Sequence, residues 1–376
     1  MHLKSVWKHT FPAFVLCLFL DFVGGVFLGI SFEVLMENYP IILIALPGLM
    51  GIRGNIFGSL ASRFSTSLYL GEMPPQVFSR KVYEGVSLSL FLSLIPVAIL
   101  WFVGILKTPV AQYLTLVVLI VSTTFACLVL SFSTALATII PFRRGIDPDY
   151  IAPPLITSIA DLLTIPTLII FIFIAEKNMT SLILITAIMF SIIFYFLVKF
   201  RIKIRVLLEI GTVLSFLALL SSVSGITLQS FSEIIYEIFI LSVMYPALLD
   251  SFGNYGSAIG SKVSTKLHLG EVEKLFSRKV FDEILSLLTT AFVIPVIMYL
   301  TASAIVYTMG KPFYINFIFF LLYPIFAFVS MVIAATVAVY SFRKGLDPDN
   351  VTVPTITTLA DVIATFFAVL IAFLSV

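Results

Sequence analysis

Long apolar stretches dominate this chain of 376 residues. A helix that crosses a bilayer needs about 20 apolar residues, and the sequence contains about eleven such stretches. They lie near residues 10–30, 40–66, 84–106, 111–140, 151–174, 180–198, 206–227, 236–265, 280–302, 313–341 and 351–375. Charged residues make up only 11% of the chain, whereas soluble domains contain about 25%. The sequence therefore predicts an all-α polytopic membrane protein.

The basic residues orient these helices, because cytoplasmic loops are enriched in lysine and arginine. With a cytoplasmic N-terminus, only Lys107, Lys177 and Lys311 fall outside, and Arg53 falls within a span. The cytoplasmic segments then contain Lys4, Lys8, Arg63, Arg80, Lys81, Arg143, Arg144, Lys199, Arg201, Lys203, Arg205, Lys262, Lys266, Lys274, Arg278, Lys279, Arg343 and Lys344. We expect a multi-pass protein of the cell membrane with its N-terminus inside. A net charge of +2 gives no reason to expect a nucleic-acid partner.

Two blocks of sequence occur twice. Leu46–Glu72 matches Tyr245–Glu271, and "GIDPDYIAPPLITSIADLL" at Gly145–Leu163 matches "GLDPDNVTVPTITTLADVI" at Gly345–Ile363. The repetition predicts two five-helix repeats, 1–178 and 200–376, joined by one linking helix at 179–199. Five helices end on the side opposite to their start, so the linking helix makes the repeats parallel. Because such a chain imitates a homodimer, we expect it to act as a monomer.

Each repeat contains one aspartate deep inside its fifth helix. Asp161 and Asp361 follow the polar loop by about ten residues, which places them roughly 15 Å into the membrane at 1.5 Å per residue. An ionised carboxylate costs about 3 kcal/mol or more there and usually faces a cavity or a partner. Two such carboxylates around one pseudo-axis suit a divalent cation. Thr157 and Thr357 lie one turn earlier on the same face and add hydroxyl oxygens.

The motifs P-x-L…G-N…S-x-x-S-T…G-E and D-P-D-x-x-x-x-P-x-x-T-x-x-A-D, each present twice, resemble those of the MgtE-type magnesium transporters. The likeness extends to their two-domain relatives among animal solute carriers and prokaryotic homologues. The resemblance implies a Mg²⁺ path between the two halves, with a central ion held by Asp161 and Asp361 and with Thr157 and Thr357 lining the pore. We expect neither an enzyme nor a resident cofactor, since Mg²⁺ is the cargo.

Other polar or helix-bending residues in the apolar helices allow either a pore role or a packing role. They are Asn55, Asn254, Asp250, Asp21, Arg53, Pro154 and Pro354. Arg53 and Asp250 are candidates for an ion pair across the pseudo-axis, and Asp21 for an accessory cation site. Pro154 and Pro354 are expected to loosen the first turn of the fifth helix and to free carbonyl groups. The basic run Lys199–Arg205 indicates a topology anchor or a contact with anionic lipids.

The transport mode stays open at this level. Channel-like uptake is favoured, because an inside-negative potential drives a divalent cation inward without a coupling ion. The alternative is a sodium-coupled exchanger, with Na⁺ at Asp21 or Asp250. A proton-coupled solute transporter has less support, because the spans lack His, Glu or Lys relays. An intramembrane aspartyl protease has less still, because Asp161 and Asp361 follow Ile-Ala and Leu-Ala rather than a G-x-G pattern.

Overall fold

The computed structural model describes residues 3–108, 110, 112–145, 148, 152–200, 204–268, 270–272, 277–313, 315–345 and 348–375. Within these residues the regular structure is helical throughout. The helices are α1 (Phe11–Glu37), α2 (Pro40–Tyr69), α3 (Arg80–Lys107), α4 (Gln112–Arg143), α5 (Ala152–Lys177), α6 (Met179–Lys199), α7 (Ile204–Ser230), α8 (Ser232–Glu237), α9 (Phe239–His268), α10 (Arg278–Leu288), α11 (Ile294–Thr308), α12 (Phe317–Arg343) and α13 (Pro348–Phe373). A short turn (Leu3–Ser5) and a π-helical segment (Val6–Thr10) lead into α1.

Ten helical segments among the described residues are long and apolar enough to cross a membrane, with α10 and α11 counted together as Arg278–Thr308. The protein is therefore an all-α polytopic membrane protein, as the sequence predicts. The stretch expected at 236–265 is α9, which is 30 residues long but is not among the ten. Its middle carries Asp250, Ser251 and Asn254, and these polar side chains lower its hydropathy.

One expected helix is divided in two. The stretch predicted at 280–302 consists of α10 and α11, joined by a 3₁₀ turn at Thr289–Phe292. The hydroxyl groups of Tyr255 on α9 and Thr290 lie 3.1 Å apart at this turn. The corresponding helix of the first repeat, α3, runs without a break over 28 residues.

The second helix of both repeats ends in the same way. Gly71 and Gly270 follow α2 and α9 with φ of 69° in each case, a left-handed conformation that strongly favours glycine. The N–H groups of Glu72 and Glu271 then donate to a carbonyl near the end of the preceding helix, both at 2.9 Å. This is the Schellman arrangement of a helix C-terminus. The backbone conformation explains why both copies of the G-E motif contain glycine.

The described chain forms two compact units. The first unit comprises Val34–Gly225, and the second comprises Met1–Glu33 together with Ile226–Val376. These boundaries differ from those of the sequence repeats. The helix that opens each repeat, α1 or α7, belongs for most of its length to the unit built from the other repeat.

The exchanged helices pack through a glycine in both units. In the second unit, a Cβ atom on Gly25 of α1 would overlap the carbonyl oxygen of Val243 on α9. In the first unit, a Cβ atom on Gly225 of α7 would overlap the carbonyl oxygen of Ile44 on α2. Val243 and Ile44 both lie three residues before the proline of the P-x-L motif. Glycine is required at both positions because the two backbones touch.

Candidate functional site

The structure brings the two repeated motifs together inside each unit. In the first unit α2, which carries Gly54 and Asn55, packs along α5, which carries Thr157 and Asp161. A Cβ atom on Gly54 would lie only 3.4 Å from the Thr157 methyl group. A methyl group at position 54 would therefore make ordinary van der Waals contact with α5 one turn before Asp161, which is half-buried.

Arg53 is the most deeply buried cation among the described residues, with 1% of its surface exposed. Its Nη2 donates a hydrogen bond of 3.0 Å to Thr123 Oγ1 on α4. Its charge interacts electrostatically with Asp161 of the same unit. Within the described part of the chain, Nε and Nη1 have no hydrogen-bond acceptor. The Arg53–Asp250 pair expected from the sequence involves residues of two units and stays a prediction.

In the second unit, Asp361 lies on α13 with 6% of its surface exposed. Helix α9 packs more extensively on α13 than on any other helix. The carbonyl oxygen of Asp361 accepts a hydrogen bond of 2.7 Å from Thr365, whose hydroxyl also lies 2.8 Å from that of Tyr245. These contacts hold the backbone of Asp361 against α9.

Thr357 and Pro354 are joined by a hydrogen bond in the first turns of α13. The Thr357 hydroxyl donates to the carbonyl oxygen of Pro354 at 3.1 Å, and Thr358 does the same at 3.1 Å. Two threonine hydroxyls, each about one turn before Asp361, thus converge on one carbonyl that lies two turns before it. In α5, Pro154 lies in the corresponding turn, but its side chain is outside the described residues.

Asp21 and Asp250 form an acidic pair in the second unit. Their carboxylates approach within 4.8 Å of each other, and Asp21 is 1% exposed. Asn254 donates to Asp250 Oδ2 at 2.5 Å, so the Gly-Asn motif of this repeat holds one carboxylate of the pair. Asp250 is half-buried, and two carboxylates this close and largely withdrawn from water are stable only when a proton or a cation offsets their repulsion. The same crevice is lined by Phe14, Leu18, Ala247 and Ser251.

Sequence reasoning missed the Asp21–Asp250 pair, because it assigned α1 to the first repeat and Asp250 to the second. The signal that would have found it is the repeated glycine, Gly25 and Gly225, which marks the exchanged helix. The sequence also did not indicate that the hydroxyl groups of Tyr323 and Tyr255 are buried inside the second unit. Tyr323 makes a hydrogen bond to Ser251, and both tyrosines are completely buried.

Ion pairs connect the described residues of the charged loops. Glu72 pairs with Lys81 at 3.4 Å, and Glu271 pairs with Lys279 at 3.6 Å. The sequence F-S-R-K-V occurs at both 78–82 and 276–280, and each copy of the G-E motif contacts its lysine through an exposed ion pair. Lys199 lies over the ring of Tyr195, 4.9 Å from its centroid. Arg201, Lys203, Asp147, Asp149 and Asp347 lie outside the described residues.

Comparison with known proteins gives the same family as the sequence motifs. A family profile described as "MgtE: Divalent cation transporter" matches residues 46–173 and 245–371, which is more than half of the chain and includes both repeats. Solute carrier family 41 member 3 of Mus musculus is 25% identical over 400 residues, covering 92% of this chain and 80% of the relative. Solute carrier family 41 member 2 of Xenopus laevis is 25% identical over 368 residues, covering 88% and 64%. No solved structure matches.

Proposed function

Since the chain belongs to the MgtE family of divalent cation transporters, we propose that it carries Mg²⁺ across the cell membrane. The observation that carries the proposal is the duplicated aspartate. Asp161 lies in the first region that matches the family profile and Asp361 in the second. Both are on helices of bilayer length, and Asp361 is buried while Asp161 is half-buried. Repeated intramembrane carboxylates mark ion pathways more often than packing sites.

We propose Asp161 and Asp361 as the ligands of the transported ion. Mg²⁺ gives up its water reluctantly and is usually held by one or two carboxylates with several waters retained. Two carboxylates assisted by the hydroxyl oxygens of Thr157 and Thr357 match that preference. Recognition through the water shell also needs no rigid cage of protein oxygens.

Channel-like uptake is the mode that we propose. An inside-negative potential supplies about 2.3 kcal/mol per charge per 100 mV, and twice that for a divalent ion. Uptake then needs no coupling ion. The second candidate is exchange against Na⁺, and the Asp21–Asp250 pair with Asn254 supports it as an acidic position of the kind that holds a cation.

Mg²⁺ flux into proteoliposomes tests the proposal. The purified full chain is reconstituted with a Mg²⁺-sensitive dye inside, and an inside-negative potential is set by K⁺ and valinomycin. We expect uptake that rises with the potential and does not require Na⁺. Flux that appears only with an opposing Na⁺ gradient supports the exchanger instead. Absence of Mg²⁺ flux under both conditions contradicts the proposed function.

A further inference from the structure

The two central aspartates are not equivalent, because a buried guanidinium accompanies only one of them at the matching position. We propose that Arg53 is a tethered counter-ion of Asp161, which balances this carboxylate when no cation is bound and competes with the transported cation for it. The inference rests on the proposed function, and it adds a residue that sets the cation affinity of one of the two carboxylates.

The burial of Arg53 carries the first step. The side chain is 1% exposed, and its hydrogen bond to Thr123 engages only Nη2. Nε and Nη1 have no acceptor within the described residues. A guanidinium withdrawn from water in this way is stable only opposite a negative charge. Asp161 is the carboxylate of the same unit with which it interacts.

The packing of α2 on α5 carries the second step. Helix α2 packs along α5, and a Cβ atom on Gly54, the residue after Arg53, would lie in ordinary van der Waals contact with the Thr157 methyl group, at 3.4 Å. Thr157 is one turn before Asp161 on α5. The close approach fixes the helix segment that bears Arg53 beside the segment that bears Asp161. Arg53 and Asp161 therefore belong to adjoining segments of two packed helices.

The third step is electrostatic. A cation bound to Asp161 and the guanidinium of Arg53 repel each other in a medium of low polarity, where charges interact strongly. Binding of Mg²⁺ must therefore weaken the Arg53–Asp161 interaction. The resident charge lowers the affinity for the cation, which favours release, and conduction requires a site that binds weakly enough to let the ion leave.

The second unit has no such charge at the corresponding place. Phe252 aligns with Arg53, is completely buried, and packs against the rings of Tyr323 and Phe367, with centroids 5.0 Å and 5.4 Å away. Asp361 therefore receives no guanidinium from this position. Both repeats contain the carboxylate, but only the first repeat also contains a positive charge, Arg53, that balances it.

The transport test uses Arg53→Gln, which removes the charge and keeps a polar side chain. We expect the KM for Mg²⁺ uptake in proteoliposomes to fall about tenfold, a change of about 1.4 kcal/mol in binding, without a rise in the maximal rate. Arg53→Lys keeps the charge and should stay near the wild-type KM. Arg63→Gln removes a charge from an exposed position of the same helix and should leave the KM unchanged. An unchanged KM for Arg53→Gln, with normal wild-type flux, overturns the inference.

A stability cycle gives a readout that does not depend on transport. In detergent without divalent cations, Asp161→Asn should lower the thermal unfolding midpoint, because it leaves Arg53 without its counter-charge. Adding Arg53→Gln to this variant should recover the midpoint. If the double variant is no more stable than Asp161→Asn alone, Arg53 is not the counter-ion of Asp161 and the inference fails. If wild-type protein carries no Mg²⁺ but the cycle shows recovery, the proposed function fails while the pairing stands.

Discussion

Arg53 and Thr123 join α2 to α4 in the first unit through a hydrogen bond of 3.0 Å between Nη2 and Oγ1. The corresponding residues of the second unit are Phe252 and Tyr323, whose ring centroids lie 5.0 Å apart. One helix–helix contact is therefore made by a charged hydrogen bond in one repeat and by aromatic packing in the other. A symmetric homodimer cannot differ in this way. Duplication within a single chain has allowed the two halves to acquire separate chemistry.

The parallel orientation of the repeats is open to a labelling test. Cysteine placed at Lys177, at the end of α5, and at position 203, after α6, should react with impermeant reagents from opposite faces of the membrane. The reason is that α6 is a single span between them, 21 residues long. Cys17 is replaced first, because it is partly exposed, whereas Cys127 is buried. Labelling of both positions from one face contradicts the parallel arrangement.

The sequence predicts the helices well, because bilayer length and apolar composition act locally. The linking helix expected at 180–198 is found as α6, Met179–Lys199, and it begins where Asn178 accepts a hydrogen bond from the Ser181 N–H at 3.2 Å. The break between α10 and α11 is not predicted. It is associated with the contact between Tyr255 and Thr290, which are far apart in sequence and meet only after the helices pack.

The candidate site could be predicted in part. Repetition identifies Asp161 and Asp361, and the structure places each beside the Gly-Asn helix of its own unit. The partners of the remaining polar residues could not be predicted, since they depend on which repeat each helix joins. Asp250 lies near Asp21 because α1 packs in the second unit, and no local pattern records that exchange.

The glycine contact of the exchanged helices predicts a large effect of a small substitution. Gly225→Ala should destabilise the protein by about 1–3 kcal/mol, as overpacking does, because the added methyl group overlaps the Ile44 carbonyl. Gly211→Ala on the same helix is the matched control. Its methyl group would meet only the end of the Ile95 side chain at 3.1 Å, which can shift. The midpoints of thermal unfolding of Gly225→Ala and Gly211→Ala are measured in detergent, with size-exclusion chromatography as the readout of folded protein. Equal midpoints contradict the close contact.

The acidic pair of the second unit predicts a gain in stability. Asp21→Asn keeps the shape of the side chain and replaces a carboxylate that approaches Asp250 within 4.8 Å. In buffer without divalent cations or Na⁺, the variant should unfold at a higher temperature than the wild type, because the carboxylate repulsion is removed. Asp282→Asn changes an exposed acid and should have little effect. A lower midpoint for Asp21→Asn would show that its charge is already compensated within the fold.

The central aspartates give the decisive transport prediction. Asp161→Asn and Asp361→Asn keep the side-chain shape and remove one negative charge, so each should reduce Mg²⁺ uptake at least tenfold, by weakening a carboxylate ligand of the ion. Asp361→Asn should stay folded, because a neutral amide is less costly than a carboxylate inside a membrane. Asp161→Asn should also stay folded at the assay temperature, although its unfolding midpoint falls because Arg53 loses its counter-charge. Size-exclusion profiles and protein levels check that point before flux is compared.

Glu72→Gln is the control for these variants. Glu72 is an exposed acid whose ion pair with Lys81 lies at the surface, and such pairs contribute about 0–1 kcal/mol. Its loss should leave uptake near the wild-type rate. Uptake is measured in magnesium-starved, transport-deficient cells and again in proteoliposomes, at matched protein levels. Near-normal uptake by the double variant of Asp161 and Asp361 would show that the ion crosses the membrane without these carboxylates.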